Sequence, residues 1–142
     1  MLPNRAANAY SRIGIETGVA AASPHSLILM LYDGAKQAIH EARGHLDAGR
    51  IPDKGHAISR AIAIVDEGLK GCLDKSGGEI AGHLSDLYDY MCRRLLLASI
   101  KNDLGALDEV TQLLDELRGA WATIASAPAA QINASRLAST SP

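Results

Sequence analysis

Four stretches of about twenty residues carry apolar side chains at helical spacing, and the links between them are short. In the first, Leu27, Ile28, Leu31, Ala35, Ala38, Ile39 and Ala42 share one face at about 100° per residue. Asp33, Lys36, Gln37 and His40 fall opposite. The second has Ile58, Ala61, Ile62, Val65, Leu69 and Cys72 as its stripe. The third has Ile80, Leu84, Leu87, Tyr88, Met91 and Leu95. The fourth is the cleanest: Leu107, Val110, Leu114, Leu117, Trp121 and Ile124 lie on one side, with Asp108, Gln112, Asp115 and Glu116 on the other. Helices of this length span roughly 30 Å, and short connections force neighbours to run antiparallel. The pattern therefore predicts an all-α, antiparallel up-down four-helix bundle.

Local signals place the ends. Ser23 is an N-cap and Pro24 suits a first helical position, where its missing N–H is not needed. The first helix is expected from there to about Leu46. Asp47–Lys54, with its Gly and Pro, reads as a connection, and the second helix as about Gly55–Lys75. Ser76-Gly77-Gly78 reads as a helix stop. The third helix then spans about Glu79–Lys101 and the fourth about Leu104–Ala125, with Asp103 as N-cap between them. Residues 1–22 read as an N-terminal arm, 23–127 as the bundle and 128–142, Ala/Ser-rich with Arg136 its only charge, as a disordered tail.

Composition agrees with a helical fold and excludes several function classes. Ala (24) and Leu (18) dominate, while Val (3) and Thr (4) are scarce and Phe is absent, which leaves too few strand formers for a sandwich or barrel. Lys and Arg total 14 against 16 Asp and Glu, a net charge of −2 that gives no electrostatic footprint for nucleic acid or an anionic membrane. Apolar runs such as Leu95–Ala98 are far short of a membrane span, so no stable membrane insertion is expected. No signal-peptide pattern stands out, and Cys72 and Cys92 read as reduced thiols, both consistent with a cytoplasmic protein.

Catalytic and metal-binding patterns fail on spacing. His40 and His45 are five residues apart, about 140° round a helix, where a zinc-protease helix needs four. The pairs Glu41/His45 and Glu79/His83 do not build a di-metal site, because no core stripe carries a carboxylate. His83 is the best candidate for a phosphotransfer bundle, yet Leu-Ser-Asp follows it and no Lys or Gly is near to hold a phosphoryl group. No catalytic residue, metal site or cofactor is therefore predicted, and the chain does not read as an enzyme.

Apolar residues exceed what four stripes need. Leu29 and Met30 fall on the polar side of the first helix, Ile64 at the edge of the second, and Tyr90, Leu96, Leu97 and Ile100 off the stripe of the third. The arm adds Tyr10, Ile13, Ile15 and Val19. Such a surplus marks a surface for another chain. Helical grooves accept amphipathic or extended segments, and the arm is a candidate occupant until a client displaces it. Tyr10, Ile13, Leu29, Met30, Ile64, Tyr90, Leu96, Leu97 and Ile100 are the predicted client-binding residues. A self-associating structural bundle is the alternative, beside the phosphotransfer reading.

The order of short motifs adds a family. Ala22-Ser23-Pro24 is followed by Leu27-Ile28 and Leu31-Tyr32-Asp33-Gly34-Ala35. Leu73-Asp74, Gly77-Gly78-Glu79-Ile80-Ala81, Leu84 and Leu87-Tyr88-Asp89-Tyr90-Met91 come next, then Arg94-Leu95, Asn102-Asp103 and Leu113-Leu114, Leu117-Arg118, Trp121. From about Tyr10 to Trp121 the chain resembles the FliS family of flagellar export chaperones. The resemblance implies a four-helix bundle with an N-terminal capping segment, in which Tyr10 matches the family's N-terminal Tyr. It implies as partner the disordered C-terminal region of newly made flagellin, kept from polymerising and delivered to the membrane export gate of the flagellar type III apparatus. The Ala/Ser tail and the helical glycines Gly34, Gly68, Gly71, Gly82 and Gly119 depart from the pattern.

Overall fold

The computed structural model describes residues 23–126, and among them there are helices and turns but no strand. Helix α1 is Pro24–Asp47, α2 is Ile51–Ala63, α3 is Gly78–Lys101 and α4 is Leu104–Ser126. A π-helical turn, Ile64–Leu69, and a 3-10 turn, Lys70–Cys72, continue α2 without a break. The expectations for the arm and for the tail lie outside the described residues.

Polar contacts between helices show the antiparallel course. Between α1 and α4, Asp33 pairs with Arg118, Lys36 with Asp115 and Arg43 with Asp108, so one number rises as the other falls. Between the α2 rod and α3, Lys54 meets Ser99 and Asn102, Cys92 meets Ile62, and Lys70 meets Asp89. Each surface ion pair contributes little stability. Together they pin the register. The core lies inside this four-sided rod, and its largest fully buried side chains include Leu27, Leu31, Ile39, Ile58, Met91, Leu95, Leu107 and Leu114. Ala35, Ala38, Ala42, Ala61, Ala98 and Ala106 are fully buried among them. Their small side chains let the helices approach closely. Every stripe residue predicted for α1 is buried.

The helix ends follow from capping, with two corrections. The Ser23 side chain accepts from the Ser26 N–H at 3.1 Å, and Asp103 Oδ1 accepts from the Ala106 N–H at 3.2 Å. Asn102 turns the chain between α3 and α4 in the left-handed region, φ 54°. The connection after α1 is shorter than predicted, residues 48–50 rather than 47–54. Pro52 occupies the first turn of α2, where proline is tolerated, and does not break the helix. Lys54 is therefore helical and only 3% exposed. Its ammonium donates to the Ser99 carbonyl at 2.6 Å and to Asn102 Oδ1 at 2.8 Å. That satisfies a carbonyl which the end of α3 leaves without a helical partner.

The second correction is at the other end of the rod. The helix stops at Cys72, where Leu73 turns extended, and Gly77-Gly78 serves as the entry to α3 instead of the end of α2. Asp74 organises this turn by accepting from the Ser76 N–H at 2.9 Å and its hydroxyl at 2.7 Å. Ile64 is fully buried and not at a helix edge, because Lys54 and Ala57 are buried along with Ile58 and Ala61, which centres the inward arc of α2 further round than the predicted stripe. Val65, Gly68 and Leu69 of the π turn are buried as well. Gly68 is needed there, since a Cβ would sit 2.7 Å from Leu31 Cδ2, itself fully buried.

Candidate functional site

The predicted client-binding residues fall into four groups. Ile64 is core and leaves the candidate surface, for the reason given above. Leu29 and Met30 are half-buried in the first turns of α1, with Met30 packed against the core. Tyr90, Leu96, Leu97 and Ile100 all lie on α3, with Leu96 53% and Ile100 69% exposed. Tyr10 and Ile13 lie outside the described residues. Helices α1 and α3 sit diagonally across the bundle, and their antiparallel partners place Leu29 near one end and Ile100 near the other. The surface is thus two separate patches.

The α3 patch is built by the helix period. Tyr88, Met91, Leu95 and Ala98 face inward and are buried. Leu96 is turned about 100° from Leu95, and Ile100 a further 40° or so, which carries both into solvent one helical turn apart. Ile51, 44% exposed, starts α2 at the same end of the bundle. Leu97 is half-buried.

A polar clasp holds α3 to α4 beside this patch. The Tyr90 hydroxyl donates to Glu109 Oε2 at 2.5 Å, and Arg94 Nε donates to Glu109 Oε1 at 2.7 Å. The Tyr90 hydroxyl, then Arg94, hold the Glu109 carboxyl below its ordinary range. Tyr90 is thus half-buried with its hydroxyl engaged, a contact the apolar reading of that residue did not anticipate. Arg93 is exposed, its guanidinium 6.0 Å from the Tyr90 ring centre. Lys101 is exposed at the end of the helix. Both cations beside the apolar pair were missed at the level of sequence. The signal was present as Arg three residues before Leu96 and Lys directly after Ile100.

Other features bear on chemistry. Burial pushes the Cys92 thiol up to about 11, so it is a poor nucleophile. An open groove runs between the 3-10 turn and the start of α3, bordered by Asp66, Gly71, Leu73, Gly82 and Ser85. Lys70 closes over Asp89 at its rim. At the end of the bundle where α1 begins, the Trp121 indole stacks on His25 and donates to its carbonyl at 3.1 Å. Among the described residues no His, Cys, Asp and Glu cluster could hold a metal ion, and no helix is long and apolar enough to cross a membrane.

Comparison with known proteins places the chain in a family. The model of the flagellar protein FliS family matches residues 6–128. The flagellar secretion chaperone FliS of Salmonella typhimurium is 50% identical over 129 residues, 90% of this chain and 94% of that one. FliSB of Pseudomonas aeruginosa, also a flagellar secretion chaperone, is 42% identical over 122 residues, 85% and 96% of the two chains. FliS of Escherichia coli is 38% identical over 122 residues, 85% and 90% of the two chains. A bundle with apolar residues left outside its core and a family match over most of its length agree: this chain belongs to the FliS family of flagellar secretion chaperones.

Proposed function

We propose that this chain is a cytoplasmic export chaperone for flagellin. It binds the disordered C-terminal region of that protein, prevents premature polymerisation and delivers it to the flagellar type III export apparatus. The observation that carries the reading is the apolar pair Leu96 and Ile100, which the bundle leaves in water. Removing such surface from water favours association by roughly 25 cal/mol per Å². Two patches at opposite ends of the rod suit a long segment that wraps, more than a compact ligand. A disordered client meets that requirement, since it orders only on binding. Tyr10 and Ile13 belong to the same reading as further contacts of the client.

The test is calorimetry of the full chain with the C-terminal segment of flagellin from the same organism. One-to-one binding with a negative heat-capacity change is expected, the mark of apolar burial. No heat and no co-elution would remove the assignment.

A further inference from the structure

We propose that the exposed face of α3 around Leu96 and Ile100 seats an amphipathic helix of the client whose apolar stripe is flanked by carboxylates, which pair with Arg93 and Lys101. This rests on the client reading above and adds the chemistry of the segment that sits there. The starting point is where the positive charge is left over. Among the described side chains, every other Lys and Arg has an acceptor: a carboxylate or, for Lys54, the Ser99 carbonyl and Asn102. Arg93 and Lys101 are exposed and have none. They bracket the two exposed apolar residues on the same helix.

The neighbouring carboxylates are engaged elsewhere. Glu109 is held by Tyr90 and Arg94, Asp89 by Lys70, Asp108 by Arg43, and Asp103 caps α4 through the Ala106 N–H. The chain therefore does not neutralise the two cations itself. Arg93 and Lys101 are eight positions apart, about 12 Å along the helix. An occupying helix would need acidic residues about two turns apart, on either side of the apolar residues that cover Leu96 and Ile100. An i, i+4 apolar pair is the footprint that a helix reads in a groove.

Other occupants fit less well. A second copy of this chain, meeting the face through a two-fold axis, would bring the same two cations together, and like charges across an interface oppose association. An anionic bilayer is attracted by clusters of four or more cations, roughly, and this face carries two.

The experiment titrates flagellin's C-terminal segment into the full chain and into Arg93→Glu/Lys101→Glu, at low and high salt. Both residues are exposed, so the melting temperature should hold. Should it fall, Arg93→Gln/Lys101→Gln is the milder pair. Affinity of the reversed variant is expected to drop about tenfold at low salt, with the gap closing near 0.5 M salt as screening removes it. Leu96→Ser/Ile100→Ser serves as the apolar control. Unchanged affinity in the reversed variant beside a loss in the control would overturn the acidic flanks and leave the client reading standing. Unchanged affinity in both would place the seat elsewhere. No binding to the unaltered chain would remove the client reading itself. Vesicles of phosphatidylcholine and phosphatidylserine, or a concentration-dependent dimer, that depend on Arg93 and Lys101 would each name a different occupant and overturn the inference.

Discussion

Tyr32 and Tyr88 share a hydrogen bond of 2.6 Å between their hydroxyls in the buried middle of the bundle, joining α1 to α3. Burial holds both phenols above their ordinary range, so each stays protonated. Each hydroxyl has the other as its partner, and the pair is therefore all or nothing. Tyr88→Phe leaves the Tyr32 hydroxyl in the core without its partner, which costs about 1–3 kcal/mol. Replacing both by Phe removes the orphan and should recover most of that loss. Denaturant titration of the two single variants and the double variant checks this. A double variant as unstable as the sum of the singles would contradict it. The stripe of α3 marked Tyr88 as core in advance. Tyr32 sits beside the α1 stripe, and nothing in its own helix announces a partner fifty-six positions away.

The clasp between α3 and α4 makes a pH prediction. Tyr90 and Arg94 lower the folded-state pKa of Glu109, and an unfolded Glu titrates near about 4.3. A carboxyl whose folded pKa is depressed adds stability above its unfolded value and loses it as pH falls through the folded one. The contribution of Glu109 is thus complete at neutral pH and falls away as pH drops from the unfolded value, about 4.3, through the lower folded one. Glu109→Gln should melt lower than the unaltered chain at pH 6, and the difference should shrink on going to pH 3.5. A constant difference across that range would mean that the carboxylate charge is not what matters. At this scale the four helices were readable from their period and caps. What the period hid was the centre of one stripe: Lys54 and Ala57 are buried beside Ile58 and Ala61, which turns the inward arc of α2 toward Ile64. The breaker reputation of Pro52 concealed the first turn of α2, and with it the burial of Lys54.

For the molecule as a whole, the core cluster among the described residues runs from Leu27 to Trp121 and joins all four helices. A chain lacking residues 1–18 should therefore keep its helical circular dichroism and bind the client as tightly as before or more so, less any contact that Tyr10 makes. Unfolding of the truncated chain would make the arm part of the core and not a cover. Candidate residues on α3 were legible because an exposed Leu or Ile off the stripe has a fixed angular position. That Leu29 belongs to another patch was not, because helical period says nothing of which helices lie diagonally. The antiparallel course has one more consequence. Positions 23 and 126 meet at one pole of the rod, and Leu96 and Ile100 lie toward the other, with α3 spanning roughly 36 Å between poles. A passenger protein joined at either position would need a tether of about ten extended residues to fold back over the patch. Shorter tethers would hold it at the far pole, leaving a client free access, so tag placement and single-chain fusions can be planned from the direction of four helices alone.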